Sequence, residues 1–470
     1  MGNRPRTVSI HILDDDSLLH VFYLYRPLFR EEDDIAEWRY NGRWWYALAH
    51  VCQRWRNIVF RSATYLGLSL LCTYDTPVAD MLAHSPPLPL VVSYFIKNRE
   101  LSTEDEEGII LALRQHDRVR RVRLHNFSTI IQKLIVAMDE ECPALEFLYI
   151  SHPIEDTATI LRFPESFQAP HLRHLTLQGF ALPMGSRLLT TAVGLVTLHL
   201  AMVHPSTYFH PNTLIRWISL MPQLETLDIF LQFPVPNRDV ERQPTQTPII
   251  APITLPNLHH LRFTGVSTYL EALVHRITTP RLKALYIGFP NQLTFSVPRL
   301  LQFIIAAENF RLGNAVLSFS DKSVDAGVYP YGGTNEYALG IVVKCHHLDW
   351  QASSIAQISN SLNQIFSAVE HLTLQHDVHS ESSEEHNDVD HTEWRKLLRP
   401  FSNVKTLETE EGLVKDLSRC LELEDGEPGL ELLLKLEQLE YSGNGDTGDA
   451  FTSFVDARRN ADRPVTLVRL

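Results

Sequence analysis

The sequence predicts a mixed α/β chain: a short helical domain over residues 1–63, then a stacked-repeat solenoid over residues 64–470, with a curved parallel sheet and outer helices. Three observations predict it. Apolar residues near the N-terminus recur at helical spacing, a strand-like leucine phrase returns many times downstream, and the intervals between its copies read as short helices. With 470 residues, 44% hydrophobic and 21% charged, the chain has the composition of an ordinary folded protein with a large core.

In the first domain, Leu18, Val21, Phe22 and Tyr25 share one face of a helix that starts behind Asp14, Asp15 and Asp16. Those acids suit an N-terminal cap and the positive end of the helix dipole. Trp44, Leu48, Val51, Trp55 and Ile58 stand at i, i+4, i+7, i+11 and i+14, which predicts one longer helix with Arg43, His50, Gln53, Arg54 and Asn57 on its polar side. Between the two lies an insertion, residues 26–43, carrying Glu31, Glu32, Asp33 and Asp34 and the aromatic pair Trp38 and Tyr40. Two short amphipathic helices cannot bury both stripes on each other, so they require a further surface, either the next domain or another protein.

Downstream, Tyr65–Leu71, Leu88–Phe95 and Val119–Leu124 read as strands, and Val78–His84 and Glu104–Gln115 as helices. The repeated phrase then begins with Leu145, Leu148 and Ile150. It is answered by Leu172/Leu175/Leu177, Leu195/Leu198/Leu200, Leu224/Leu227/Ile229, Leu258/Leu261/Phe263 and Leu282/Leu285/Ile287, with first leucines 27, 23, 29, 34 and 24 residues apart. L-x-x-L-x-L at that period is leucine-rich-repeat-like. It places the last two apolar residues on one face of a short strand. Ile130–Met138, Thr213–Met221, Leu270–Ile277 and Leu300–Ala307 supply helices between copies, and ragged copies continue at Leu372/Leu374, Leu407, Leu439/Tyr441 and Leu467/Leu470. A strand-plus-helix unit of this size cannot close a core alone, so the units must stack.

The repeat phase also predicts a recognition surface. If the leucine positions point inward, Phe147 and Tyr149, His174, His199, Asp228, His260 and Arg262, and Tyr286 point out on the strand face. That mixture of aromatic, histidine and charged side chains makes them candidates for binding a target protein. Arg121 and Arg123 lie on the same side of their strand, either as an anion site or as a charged, solvated strand face.

Three stretches interrupt the pattern: the proline-rich residues 233–252, residues 322–336 with Pro330, Gly332 and Gly333, and the acidic, histidine-bearing residues 376–391. They read as an extended loop, a turn joining two strands and a solvated loop. The last gathers His376, His379, His386, Asp388, Asp390 and His391, but at no recognised ligand spacing, so no metal site and no cofactor is expected. The formal charge of −14 disfavours a nucleic-acid binder working by phosphate neutralisation. Five cysteines without a C-x-x-C pair point to a reducing compartment. No apolar run is long enough to cross a bilayer, and residues 1–17 read as neither a signal peptide nor a myristoylation site. Cytoplasm or nucleus is the expected location. There is no G-x-S-x-G elbow, Walker loop, H-E-x-x-H or dinucleotide fingerprint, and the glycines of residues 443–448 lack a lysine. No enzymatic activity is expected.

Leu13, the run Leu18-Leu19-His20-Val21-Phe22 and above all Val51-Cys52-Gln53-Arg54-Trp55-Arg56 resemble an F-box. The continuation through Cys72-Thr73-Tyr74-Asp75-Thr76-Pro77 and Ser85-Pro86-Pro87-Leu88-Pro89 is similar to the segment that follows the F-box in the large mushroom-type fungal group of these proteins. Departures from that pattern are Asp14 where the family has proline after leucine, and the insertion at 26–43. The resemblance implies a substrate-recognition subunit of a cullin-RING ubiquitin ligase. In that role Leu13, Leu18, Phe22, Leu48, Val51 and Trp55 dock a Skp-type adaptor, and through it a cullin, while the solenoid holds an unknown target protein. The alternative is a non-ligase leucine-rich-repeat scaffold or ligand sensor with a degenerate F-box.

Overall fold

The computed structural model describes residues 10–27, 43–74, 76–95, 102–125, 130–152, 161–183, 185–202, 208–231, 251–290, 292–307, 312–330, 337–377, 391–422, 432–442 and 450–470. They fall into two compact units, Met1–Leu195 and Val196–Leu470. Each is a mixed α/β assembly on a mostly parallel sheet.

The first unit opens with α1 (Asp15–Tyr25), capped by the Asp14 carboxylate, which accepts from the Ser17 amide at 2.7 Å. The expected single helix from Trp44 to Ile58 is instead two, α2 (Trp44–Ala49) and α3 (Gln53–Arg61), with Cys52 fully extended between them. The break leaves the Ala49 carbonyl without a helical donor, and the Arg56 guanidinium fills that place with a 3.0 Å bond. Arg54 ties the pair to α1 through Asp15 at 2.8 Å and the Leu13 carbonyl at 2.6 Å. Trp45 is buried, and its indole N–H donates to the Ser69 carbonyl at 3.2 Å.

The strand expected over Tyr65–Leu71 also differs. A helical turn, α4 (Ala63–Leu66), occupies its first half and ends at Gly67 with φ +64°, so that strand β1 begins only at Leu70 (Leu70–Cys72). A glycine in the left-handed region is a common helix terminator, and the chain turns there into the sheet. The rest of the unit is α5 (Val78–His84), β2 (Leu90–Phe95), α6 (Thr103–Leu113), β3 (Val119–His125), α7 (Ile130–Val136), β4 (Phe147–Ser151), β5 (Leu161–Arg162), β6 (His174–Gln178), β7 (Phe180–Ala181) and α8 (Arg187–Thr191). β1, β2, β3, β4 and β6 form a parallel sheet in that order, and β5 pairs β7. Leu148 stands opposite Leu175 and Ile150 opposite Leu177, all four sealed from solvent.

The second unit runs β8 (Thr197–Met202), α9 (Pro211–Ile218), β9 (Thr226–Leu231), β10 (Ile253–Thr254), β11 (His260–Thr264), α10 (Ser267–Val274), β12 (Ile277–Thr278), β13 (Ala284–Pro290) and α11 (Pro298–Ile305). It continues with β14 (Leu312–Ser320), β15 (Val324–Pro330), β16 (Leu339–Lys344), α12 (Leu348–Ser361), α13 (Asn363–Phe366), β17 (His371–Asp377), α14 (His391–Leu398), β18 (Thr406–Thr409), α15 (Glu411–Leu421), β19 (Gln438–Tyr441), α16 (Thr452–Asn460) and β20 (Thr466–Arg469). The sheet order is β8, β9, β11, β13, β16, β15, β14, β17, β18, β19, β20. All neighbours are parallel except β16–β15 and β15–β14. The chain therefore crosses from β13 to β14, three places away, and β15 and β16 fill the gap backwards.

This antiparallel insert corrects the turn expected at 322–336. Val324, Ala326 and Val328 alternate into the core, so Val324–Pro330 is a strand, and Asp321–Ser323 form the turn that joins it to β14. Ser320 and Ser323 close it through mutual hydrogen bonds of 2.9 and 3.2 Å, and buried Gln351 donates to the carbonyls of Ser320 at 2.7 Å and Cys345 at 2.9 Å. Residues 331–336, most of the insertion at 26–43, most of the proline-rich 233–252 and all of 376–391 between Asp377 and His391 lie outside the described residues.

Core packing predicts a direct test. Leu261 is 1% exposed on β11, which is flanked by β9 and β13. Leu261→Ala should lower unfolding free energy by about 2–5 kcal/mol, read as an earlier urea midpoint, whereas no shift would mean that the leucine row does not carry the core.

Candidate functional site

Two kinds of surface stand out: an apolar patch on the N-terminal helices and the outward strand faces of the two units. On α1, Leu18 and Phe22 turn inward and are sealed, while Val21, Leu24 and Tyr25 remain exposed, Leu24 at 70%. Ile12, Leu13 and, at 58%, Val51 are exposed too. The six positions expected to dock an adaptor therefore split. Leu18, Phe22 and Leu48 are used inside the unit, Trp55 is half-buried with its ring 4.8 Å from Phe22, and Leu13 and Val51 face out. Val21 and Tyr25, expected to share one stripe with Leu18 and Phe22, are exposed where those two are sealed, and neither Ile12 nor Leu24 was singled out; the outer side of α1 is apolar as well. A short helix greasy on two sides is a surface for something else to cover.

The strand face of the first unit is basic and aromatic. Arg121 and Phe147 are cross-strand neighbours, as are Arg123 and Tyr149. Each guanidinium lies over its neighbour's ring, at 4.8 and 5.4 Å. The Phe147 ring is 6.1 Å from that of His174. Phe147, Tyr149 and His174 are thus half-buried neighbours on this face. Cation–π stacking holds the two arginines flat on the sheet.

In the second unit, His199, Asp228, Arg262 and Tyr286 fall on one rung across four parallel strands. The His199 Nδ1 is 2.8 Å from the Asp228 carboxylate, Arg262 Nη1 is 3.8 Å from the same oxygen, and the Arg262 guanidinium lies 5.0 Å from the centre of the Tyr286 ring. His260 is exposed one rung earlier and outside this chain of contacts. The rung continues through Gly340 and Gly327. A Cβ at Gly340 would stand 2.8 Å from the Tyr286 ring, so glycine lets that ring lie on the backbone; the Tyr337 ring covers Gly327 in the same way. The rings of Tyr329 and Tyr337 are 4.6 Å apart.

Asp325 is two residues before Gly327, on the same face of β15. Its Oδ1 is sealed from solvent and has no hydrogen-bond partner among the described residues. Burial alone raises its carboxyl above the ordinary 3.8, with no offsetting cation among the described residues. Burial, and then the nearby Asp325 carboxylate, push the Tyr286 hydroxyl up as well; burial and a hydrogen bond with Tyr337 do the same to Tyr329. Asp325 and Tyr329 lie within the stretch 322–336 that reads as a turn, and Tyr337 just beyond it, so none of the three stood out as a candidate. The alternation of Val324, Ala326 and Val328 was the available signal.

Among the described residues, no cluster of three histidine, cysteine, aspartate or glutamate side chains could hold a metal. None of the described helices is long and apolar enough to cross a membrane. Burial pushes the thiols of Cys72, Cys142 and Cys420 up to about 12 and that of Cys345 to about 11, which keeps all four protonated and unreactive at neutral pH. A depression of about 610 Å³ in the first unit is lined by Ile110 of α6, by Arg114 just after it, and by Gln132 and Lys133 of α7. No protein-family model matches the chain, and no curated protein matches it.

Because the Asp325 pKa is raised, its ionised form costs folding stability above that pKa, and the cost fades as pH falls through it toward 3.8. Asp325→Asn should therefore be more stable than the parent chain at neutral pH, with the gap closing at ~pH 4. Urea unfolding at both pH values checks this; a gap that is constant or wider in acid would contradict the burial of an uncompensated carboxylate.

Proposed function

We propose that this chain is the substrate-recognition subunit of a cullin-RING ubiquitin ligase, with an F-box at its N-terminus and a leucine-rich-repeat-like solenoid behind it. The N-terminal helices dock a Skp-type adaptor, and the strand faces hold a target protein. The chain itself breaks no bond. It raises the effective concentration of a target lysine beside a ubiquitin-conjugating enzyme.

The observation that carries this reading is the exposed apolar surface of Ile12, Leu13, Val21, Leu24, Tyr25 and Val51, gathered on and beside the N-terminal helices. It coincides with the stretch that resembles an F-box. The docking set is accordingly narrower than the resemblance implies, because Leu18, Phe22 and Leu48 support α1 and α2 from inside instead of meeting the adaptor. That burial, together with Asp14 in place of proline, favours one competing reading, a repeat scaffold whose F-box no longer docks. The cysteines carry no disulfide among themselves, which suits the reducing cytoplasm or nucleus in which such a ligase works.

Co-expression with a Skp-type adaptor separates the two readings. The parent chain should co-purify as a one-to-one complex, and the paired change Leu24→Glu with Val51→Glu should cut adaptor capture by about tenfold or more while leaving the circular dichroism spectrum unchanged. A parent chain that never captures the adaptor, or a paired variant that captures it as well as the parent, would leave the scaffold reading.

A further inference from the structure

Asp325 occupies an unusual place on the second unit's strand face. It stands on an antiparallel strand inserted into an otherwise parallel sheet, about 7 Å along β15 from Gly327. The paired glycines Gly327 and Gly340 have no side chains to fill the space in front of it, and the tyrosine rings of Tyr286 and Tyr337 lie over them. The result is a low aromatic platform with a carboxylate at its edge. Tyr337 keeps 40% of its surface exposed and Asp325 is only partly covered, so both are reachable from solvent.

The chemistry of that edge is incomplete. One carboxylate oxygen is out of water with no donor among the described residues. A buried acceptor left unpaired is costly, and a charged one more so. Arg262, the cation on this rung, is engaged with Asp228 and the Tyr286 ring, on the far side of that ring from β15. A neutral donor would satisfy the oxygen but not the charge. An ammonium or guanidinium group docked against the exposed part of Asp325 would offset the charge without reaching the sealed oxygen, and tyrosine ring faces attract the same group.

We infer that Asp325, Tyr286 and Tyr337 form a receptor for one basic side chain, lysine or arginine, carried on a bound polypeptide. A polypeptide is favoured over a small amine because the same rung goes on offering acceptors beyond the platform. It passes through Val316 to Thr373, Glu408 and Glu440, where the Thr373 hydroxyl donates to Glu408 at 3.2 Å and Gln438 donates to Glu440 at 2.6 Å. Neighbouring strands are about 4.8 Å apart, so an extended peptide laid across them meets a new acidic position every few residues. This inference deepens the target-binding half of the proposed function and rests on it.

The test is selection of a displayed random-heptapeptide library on the immobilised full chain, followed by fluorescence anisotropy with the best peptide. Enriched peptides should carry a lysine or arginine. Asp325→Asn should weaken the best peptide by about tenfold, and replacing that basic residue by glutamine should weaken it by the same factor. The two losses should not add when combined, since both remove one contact. Tyr337→Leu, at an exposed position, should weaken binding several-fold and serves as a second variant. Absence of enrichment, enriched peptides without a basic residue, or additive losses would overturn the site, and displacement by spermidine at concentrations below the peptide's Kd would overturn its assignment to a polypeptide. Adaptor capture by the same preparation reports separately on the ligase: its loss with peptide recognition intact sinks the ligase reading alone.

Discussion

Strand register is the constraint on which the rest depends. Leu227, Leu261 and Leu285 stand opposite one another across β9, β11 and β13, with Ile229, Phe263 and Ile287 two residues on, and all six are sealed in the core. Because successive side chains on a strand alternate faces, burying that row forces Asp228, Arg262 and Tyr286 outward and into register with one another. A slip of one residue would put the charged row into the core. The outward face is thus a by-product of core packing, and its composition is open to change at little cost to the fold.

The same logic explains what the sequence made legible. Most of the strands carrying the L-x-x-L-x-L phrase were readable because the inward leucines recur at a fixed offset, and Phe147, Tyr149, His174 and Tyr286 followed from that phase. The antiparallel insert was not readable in the same way. Val324, Ala326 and Val328 alternate, but glycine and proline near the end of that stretch carry a turn signal of equal strength, and a reversal of strand direction leaves no mark on a period of two. Likewise, apolar spacing alone joined Trp44 to Ile58. It could not register that the Arg56 side chain would replace a helical N–H at the Ala49 carbonyl and so permit a break.

The N-terminal helices show where periodicity misassigns roles. Leu18 and Phe22 belong to the stripe that a sequence reading offers to a partner, yet they are the residues α1 spends on its own unit, with Phe22 packed on Trp55. What is left outside, Leu24 and Val51 foremost, is the side that the resemblance to an F-box did not single out in full. A docking surface and a hydrophobic core draw on the same residue types, and only burial separates them.

The two strand faces differ in chemistry. In the first unit, two arginines lie on aromatic rings; in the second, one arginine does so beside Asp228, and Gly340 and Gly327 make room for tyrosine rings near Asp325. Whatever the chain binds, adaptor docking is the claim from which a ligase role follows. Hydrogen–deuterium exchange of the chain with and without a Skp-type adaptor tests it most directly. The account predicts slowed exchange confined to Asp15–Tyr25 and the turn around Val51, with β9 and β11 unchanged, and exchange at those N-terminal amides that is the same in both samples would contradict it.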